Sequence, residues 1–235
     1  MTASTLNPRG KVQDRVLATL RHGLMTGHFL PGQTVSLRKL ATSLGTSPMP
    51  VRESLSRLVA ANALEELPNR SMRVPLLTYQ GLVELFDVRC LIEGMAARTA
   101  CDKIDDAMIA SLEAINAEIV AAHAQHDMTR VLGANQKFHF IIYQAANSDI
   151  LMPLIESLWL RCGPTMYFSL VSPRNLWDAS SHVTIIDAFK RGDGEAAAAA
   201  MVTDIRVTGD YLLEQAAAAP TSGPFAPLEL LGAAG

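Results

Sequence analysis

Residues 37–57 restrict the fold of this chain more than any other stretch, because they predict two short helices separated by a tight break. The first has leucine and alanine at helical spacing and ends at Gly45, which can adopt the left-handed conformation that closes a helix. Ser47 is placed to cap the second helix, and Pro48 suits its first position. The second helix has arginines beside its apolar stripe. The pair is therefore either an ordinary helical hairpin or a helix-turn-helix whose second helix enters a DNA major groove.

The residues that follow favour the second interpretation. Residues 63–67 and 72–75 resemble short strands, and residues 68–71 have the composition of a turn. They predict a hairpin with Arg70 at its tip and Arg73 beside it. A basic hairpin next to a helix-turn-helix is typical of a wing that reaches the DNA backbone or minor groove.

The charge of the chain is divided in the same way. Residues 1–75 contain ten Lys and Arg against four Asp and Glu, a net charge of +6, whereas residues 76–235 have a net charge of −9. A basic front and an acidic remainder indicate that only the first third of the chain meets a polyanion.

The remainder predicts an all-helical bundle, since 49% of the residues are hydrophobic and only 6% are aromatic. Helices are predicted over 11–25, 79–101, 106–124, 128–146, 150–170, 174–191 and 194–214. Gly163 and Pro164 are expected to kink or split the fifth of these. The predicted organisation is a disordered N-terminus over 1–9, a DNA-binding domain over 10–76, a helical domain over 78–215 and a flexible tail over 216–235.

Other sequence features concern the location of the protein. Three cysteines without metal-finger spacing are typical of reduced thiols in a cytoplasmic protein. No apolar run of about 18 residues and no signal segment is found, so no contact with a membrane is expected.

Residues 10–75 resemble the winged helix-turn-helix of the GntR family of bacterial transcription regulators. The resemblance is carried by the phrases GHFLPG (27–32), LA (40–41), LG (44–45), SPMPVRESL (47–55) and PNR (68–70). It implies a double-stranded DNA operator as partner. Two departures are Pro48, where the family commonly has a basic residue, and Ser71, where it usually has glycine.

The resemblance implies that Arg38 and Arg52 contact DNA, and that Arg70 and Ser71 form the wing tip. The exposed side of the second helix adds further candidates. The predicted DNA-binding residues are Arg38, Ser47, Met49, Arg52, Arg57, Arg70 and Ser71.

Residues 79–212 resemble FCD, the effector-binding domain of the FadR subfamily of that family. The phrases are VRCLIE (88–93), FH (138–139), AAN (145–147), HVTIIDA (182–188) and GD (192–193). The fold class predicted for the whole chain is therefore mainly α, with an N-terminal winged helix-turn-helix and a C-terminal all-α bundle.

Many members of the subfamily hold a divalent metal, and the resemblance implies the ligands Asn135, His139, His182 and Asp204. Asn135 stands where a carboxylate is usual, and Asp204 stands where an imidazole is usual. Two histidines and one carboxylate suit Zn, Ni, Fe or Mn. The alternatives are loss of the metal and a histidine that is simply part of the core.

Arg89 and Glu93 lie four residues apart on the first bundle helix. They are either a helix-surface ion pair or, as the resemblance implies for the arginine, a site for a small organic acid, with Glu93 orienting Arg89. The predicted protein is a homodimer on a palindromic operator, most often a repressor, whose DNA affinity the acid controls. The alternatives are a metal-free regulator with an apolar or acyl effector and a helical metalloenzyme, for which no HExxH or GxSxG motif is found.

Overall fold

The structure is a computed structural model that describes residues 8–170, 172, 176, 177 and 179–218. Its N-terminal part, which we call the head, is a small helical domain with a three-stranded sheet. The elements of the head are α1 (Pro8–Met25), β1 (Thr34–Val35), α2 (Leu37–Ser43), α3 (Pro48–Ala60), β2 (Glu65–Glu66) and β3 (Met72–Arg73). The strands are antiparallel, in the order β1-β3-β2. As predicted, this is a winged helix-turn-helix.

Local sequence explains the turn between α2 and α3. The hydroxyl of Ser36 accepts a hydrogen bond from the Lys39 amide at 3.4 Å and so caps α2. Gly45 has a φ of 60°, the left-handed conformation that its lack of a Cβ permits. Leu55 and Leu58 of α3 are 2% exposed and pack against α1. The strands β2 and β3 lie within the predicted strands 63–67 and 72–75, whereas β1 was not predicted.

The C-terminal part, the bundle, contains six helices among the described residues. They are α4 (Tyr79–Ala100), α5 (Asp106–Ala124), α6 (Met128–Ala145), α7 (Leu151–Leu170), α8 (Ser180–Lys190) and α9 (Gly194–Ala218). Thr78, Asp105 and Asp127 cap α4, α5 and α6 by accepting hydrogen bonds from backbone amides three residues ahead. The most extensive contact between helices is that of α4 with α9.

Several predictions for the helices differ from the structure. The helix predicted from residue 174 begins at Ser180, and part of its predicted start lies outside the described residues. The helix α7 continues through Gly163 and Pro164 and is not split. Helix α1 begins at Pro8 and α9 continues to Ala218, so residues 8–9 of the predicted disordered N-terminus and residues 216–218 of the predicted flexible tail are helical instead. The remainder of these two predicted segments, 1–7 and 219–235, lies outside the described residues.

Helix α1 packs against α7 and joins the head to the bundle, a contact that we call the α1–α7 interface. A Cβ added at Gly163 would lie 2.3 Å from the Leu24 carbonyl oxygen and 2.6 Å from the Met25 Cα, so only glycine permits this approach. At the same interface, Arg21 forms an ion pair with Glu156 at 2.5 Å. The head and the bundle are therefore in direct backbone contact, through α1 and α7.

Within the described residues, every helix falls short of the length and apolar character required to cross a bilayer. The three cysteines are buried free thiols.

Candidate functional site

The exposed side of α3 carries the predicted DNA-binding residues of that helix. Val51, Ser54, Leu55 and Leu58 are buried against the rest of the head. Met49, Arg52 and Arg57 are exposed. Successive residues of a helix are rotated by about 100°, which places Met49 near the middle of the exposed side and the two arginines at its opposite edges.

One groove of about 800 Å³ lies between α3 and the wing. Arg38 of α2, Arg52 of α3 and Arg70 of the wing all line it, together with Ser71. Among the described residues, none of the three arginines has a carboxylate within ion-pair distance. The groove therefore brings arginines from three separate segments of the head to one surface, where its described lining has three arginines against the single carboxylate of Glu66.

Ser47 occupies the predicted N-cap position of α3, but its side chain makes no capping hydrogen bond, so this prediction is wrong. Pro50 removes one of the two amides that could donate to this hydroxyl. A capping serine usually accepts from the amide of the second or third helical residue, and the third residue here is a proline without an N–H. The hydroxyl of Ser47 is exposed at the tip of α3.

The tip of the wing is fixed by Asn69, whose side-chain oxygen accepts hydrogen bonds from the Ser71 amide at 3.0 Å and the Ser71 hydroxyl at 2.6 Å. Arg70 has a φ of 60°, a left-handed conformation that is uncommon outside glycine. Arg73 is different, because it pairs with Glu65 on the neighbouring strand at 2.7 Å. Its charge is therefore neutralised within the protein, which the sequence interpretation did not foresee.

The bundle brings together three of the four residues that were predicted to bind metal. His139 lies on α6, His182 on α8 and Asp204 on α9, and one possible ligand atom from each lies within 4.8 Å of the others. The distance from His139 Nε2 to Asp204 Oδ2 is 3.3 Å, and that from His182 Nε2 to Asp204 Oδ1 is 3.5 Å. Asn135, the fourth, lies one turn before His139 and lines the same cavity.

Two residues that the sequence interpretation did not single out determine the orientation of the histidines. The Nδ1 of His182 lies 3.1 Å from the Asn116 side-chain oxygen, which can only accept, so this nitrogen carries the proton. The hydroxyl of Tyr143 donates to Glu93, and it therefore accepts from the Nδ1 of His139 at 3.2 Å. Both Nε2 atoms then present lone pairs to the oxygens of Asp204.

This donor set fits a divalent metal. Two imidazole nitrogens and a carboxylate at these distances could hold a divalent cation, and hydrogen bonds from the outer Nδ1 atoms are typical of metal-binding histidines. His182 is itself uncharged at neutral pH. Burial lowers the pKa of His182 to about 4, although Asp204 opposes the shift. Burial alone would raise the pKa of Asp204, but His182 and His139 outweigh it and lower that pKa.

Arg89 and Glu93 are a buried pair rather than a pair on the helix surface. Arg89 Nε and Nη2 donate to the two carboxylate oxygens of Glu93 at 2.7 and 3.2 Å. Glu93 also accepts from Tyr143 and from Trp159 Nε1. The third nitrogen of Arg89, Nη1, donates to Cys162 Sγ at 3.0 Å. Burial disfavours the charge of Arg89, but Cys162, Glu93 and Tyr143 outweigh burial and raise its pKa.

The cavity between the histidines and Arg89 has a volume of about 30 Å³. A water molecule needs about 10–15 Å³ on this measure, so the cavity has room for an ion and a water, and an organic ligand would have to enlarge it. Its lining includes Leu176, Trp177 and Thr208 in addition to the residues above.

Signals for the two missed residues were present in the sequence. Tyr143 follows His139 by four residues and therefore lies on the same side of α6. Asn116 falls at helical spacing between Leu112 and Ile119, which are buried, so it interrupts an otherwise apolar stripe. A polar residue in such a stripe needs a partner inside the protein.

Two family models match the chain. The model of bacterial regulatory proteins of the gntR family matches residues 12–74, and the model of the FCD domain matches residues 84–206.

Relatives and solved structures agree with these matches. The chain is 32% identical to the HTH-type transcriptional regulator McbR of Escherichia coli K12 over 75% of this chain and 81% of that protein. It is 32% identical to a probable D-xylose utilization operon transcriptional repressor of Paenarthrobacter nicotinovorans, over 71% of this chain and 73% of that protein. The solved structure of E. coli McbR/YncC superimposes with a TM-score of 0.81 and 29% identity, covering 87% of this chain and 98% of that one.

Proposed function

This chain belongs to the GntR family of bacterial regulatory proteins and is a DNA-binding transcription regulator, and we propose how it is controlled. In this proposal, a metal-associated cavity in the FCD bundle receives a small carboxylate, and its binding changes the affinity of the head for DNA. Its relatives are transcription regulators rather than enzymes, which removes the helical metalloenzyme from consideration. Because a relative is described as a probable repressor, we propose repression as the mode of action.

The observation that supports the DNA-binding surface is the groove shared by Arg38, Arg52 and Arg70. An exposed cluster of arginines that form no ion pair with the described carboxylates is suited to phosphates and base edges. We propose that Arg52 reads a base edge from α3, while Arg70 and Ser71 contact the backbone or minor groove from the wing. Ser47, Met49 and Arg57 complete the contact surface.

The direct test is to select the operator from random duplex DNA and to compare the affinity of the native protein with that of Arg52→Ala. We expect a loss of about 1–3 kcal/mol if Arg52 reads a base. The matched control is Arg191→Ala, which removes an exposed arginine from the end of α8 in the bundle and should leave the affinity unchanged. Equal affinity of native protein and Arg52→Ala would contradict the assignment of α3 as the recognition helix.

For the metal, we propose that His139, His182 and Asp204 are the ligands, with Asn135 offering a neutral oxygen, and that Zn, Ni, Fe or Mn is bound. Such an ion supplies a Lewis-acidic position to which an oxygen ligand can coordinate. The small volume and polar lining of the cavity favour an ion over the alternative of an apolar or acyl effector in a metal-free protein. Elemental analysis of the purified protein and of His139→Ala tests this assignment.

We further propose that the effector is a small carboxylate and that Arg89 binds it through Nη1. The other two nitrogens of Arg89 donate to Glu93, whereas within the described part of the chain the hydrogen bond of Nη1 goes to the thiol of Cys162, a weak acceptor. A carboxylate oxygen in place of that sulfur is a stronger, charge-assisted partner. Because the cavity is small, binding must displace the segments that line it, and this displacement is the source of the regulatory signal.

The route to the head is proposed to be α7. Cys162, which is bonded to Arg89, is directly followed by Gly163, which contacts Leu24 and Met25 of α1. A displacement of Cys162 would therefore be transmitted to the first helix of the head. Titration of a labelled operator against small organic acids, with and without metal, measures the coupling, and unchanged affinity with every acid would argue against it.

We propose that two copies pair, as a palindromic operator requires. Val88, Leu91 and Met95 form an apolar stripe on the outer side of α4, with exposures of 39%, 74% and 48%. Helical spacing of i, i+3 and i+7 places them on one face. Leu91→Asp should lower the mass measured by light scattering from that of a dimer to that of a monomer.

A further inference from the structure

We infer that Met49 reads the C5-methyl group of a thymine in the major groove, so that the head selects its operator through an apolar contact in addition to arginine hydrogen bonds. The inference rests on the proposed binding of DNA by α3 and names the base that one position of that helix selects.

The position of Met49 is the first observation. It is 62% exposed, and in the described part of the head the other large apolar side chain exposed by more than a third is Leu30, at 37%. A single exposed methionine is ordinary on a protein surface. This one, however, lies three residues before Arg52 on the same helix, and residues at that spacing are neighbours on the helix surface. Any base edge within reach of Arg52 is therefore followed by a base pair within reach of Met49.

The prolines on either side of Met49 are the second observation. The N-terminus of a helix usually offers several free N–H groups, which bind phosphate. In α3, Pro48 and Pro50 supply none, and both are in the first turn. The tip of α3 is therefore unsuited to clamping a phosphate. It presents an apolar side chain, together with the exposed hydroxyl of Ser47, in the place where another helix would present amides.

Chemical complementarity identifies the partner. In the major groove the thymine methyl is the apolar feature that distinguishes an A·T pair, and apolar side chains contact it. Methionine is flexible and polarizable, so its thioether can adapt to a methyl group without a fixed rotamer. Arg38 and Arg52 line the adjoining groove and bring the polyanion to this surface. A duplex major groove is therefore the occupant that fits the arginines beside Met49.

The experiment removes only the methyl group. The operator is first selected from random duplexes, and each thymine in a half-site is then replaced in turn by deoxyuridine. Affinity is measured at constant salt, because phosphate contacts make it salt-dependent. With native protein we expect one replacement per half-site to weaken binding about 3- to 5-fold, the value for one buried methyl group. With Met49→Ala, the same replacement should have no effect.

Met49→Ala should leave the fold intact, and a second methionine variant serves as its control. Alanine is a strong helix former, and Met49 has little contact with the core, so α3 should remain intact. Met108→Ala, which shortens an exposed methionine at the start of α5, should respond to deoxyuridine as the native protein does.

The two levels of the hypothesis fail differently. If selection yields no specific sequence, the proposed function fails and the inference fails with it. If a sequence is selected but no thymine position responds, or if native protein and Met49→Ala respond equally, the inference alone is overturned.

Discussion

The arginines of the head and the arginine in the core of the bundle differ in exposure and in pairing. In the described head, Arg38, Arg52 and Arg70 are exposed and lack carboxylate partners, so their charges remain available to DNA. In the bundle, Arg89 is 3% exposed and is held by two hydrogen bonds to Glu93, which is itself fully buried. An exposed charge loses little free energy when it changes partners, whereas separating a buried ion pair costs several kcal/mol (about 3–5). The comparison indicates that the charges of the head are available for reversible binding, whereas those of the bundle are part of its core.

The largest expected effect tests the buried side of this comparison. Glu93→Gln keeps the shape of the side chain but leaves Arg89 buried without a counter-charge, which should lower the free energy of unfolding by about 3–5 kcal/mol. Urea denaturation measures it. Glu195→Gln is the matched control, because the Arg98–Glu195 pair is similar in length, at 2.9 Å, but its side chains are 48% and 77% exposed. There we expect a loss of less than about 1 kcal/mol, and equal losses in the two variants would invalidate the comparison.

The pH dependence of the metal-free protein should be the next largest effect. The pKa of His182 in the folded state is about 4, below its ordinary value of 6.5. The unfolded chain therefore binds a proton at a higher pH than the folded one, and stability is lost as the pH falls from about 6.5 to 4. The maximum contribution is roughly 3 kcal/mol.

To isolate that contribution, the free energy of unfolding in urea is measured at several pH values for chelator-treated native protein and for chelator-treated His182→Gln. The difference between the two pH profiles is the contribution of His182. If the free energy of unfolding depends on pH in the same way for both proteins, His182 does not have this low pKa in the folded protein.

The α1–α7 interface connects the two regions and can be tested at one position. Gly163→Ala places a Cβ against the backbone of Leu24 and Met25, so the helices must separate. We expect a loss of about 1–3 kcal/mol in stability and a reduced response of DNA affinity to metal or acid. Gly133→Ala on α6 has open space around its Cβ and should stabilise the protein by about 0.5–1 kcal/mol. A neutral effect of Gly163→Ala would contradict the close backbone contact.

The smallest expected effect concerns the wing. Arg70→Ala removes an unpaired charge and should lower the slope of log affinity against log salt by about one. The double variant Glu65→Gln, Arg73→Gln removes a charge pair of the same hairpin without changing its net charge. Its salt dependence should match that of the native protein, and a reduced slope would mean that Arg73 also reaches DNA.

The sequence predicted much of this molecule. The helices α4 and α5 begin at the predicted residues, because Thr78 and Asp105 are clear N-caps. The resemblance to the FCD domain identified His139, His182 and Asp204, which the structure brings within ligand distance of one another although they lie on three helices.

What could not be predicted depends on tertiary contacts. Spacing identifies Arg89 and Glu93 as neighbours on a helix but cannot show that the pair is buried and shares Glu93 with Tyr143 and Trp159. Similarly, Gly163 was expected to interrupt α7, whereas its actual role is to admit the backbone of α1. The free hydroxyl of Ser47 depends on the missing N–H of Pro50, a detail that a capping pattern alone does not reveal.

The direct backbone contact at Gly163 has an evolutionary consequence. If the bundle controls the head as proposed, a signal that passes through main-chain atoms does not depend on which metabolite occupies the bundle, since any occupant that displaces α7 reaches the first helix of the head. Relatives could then acquire new effectors by altering the residues that line the cavity while keeping the same transmission, and the specificity for a metabolite could diverge independently of the specificity for DNA.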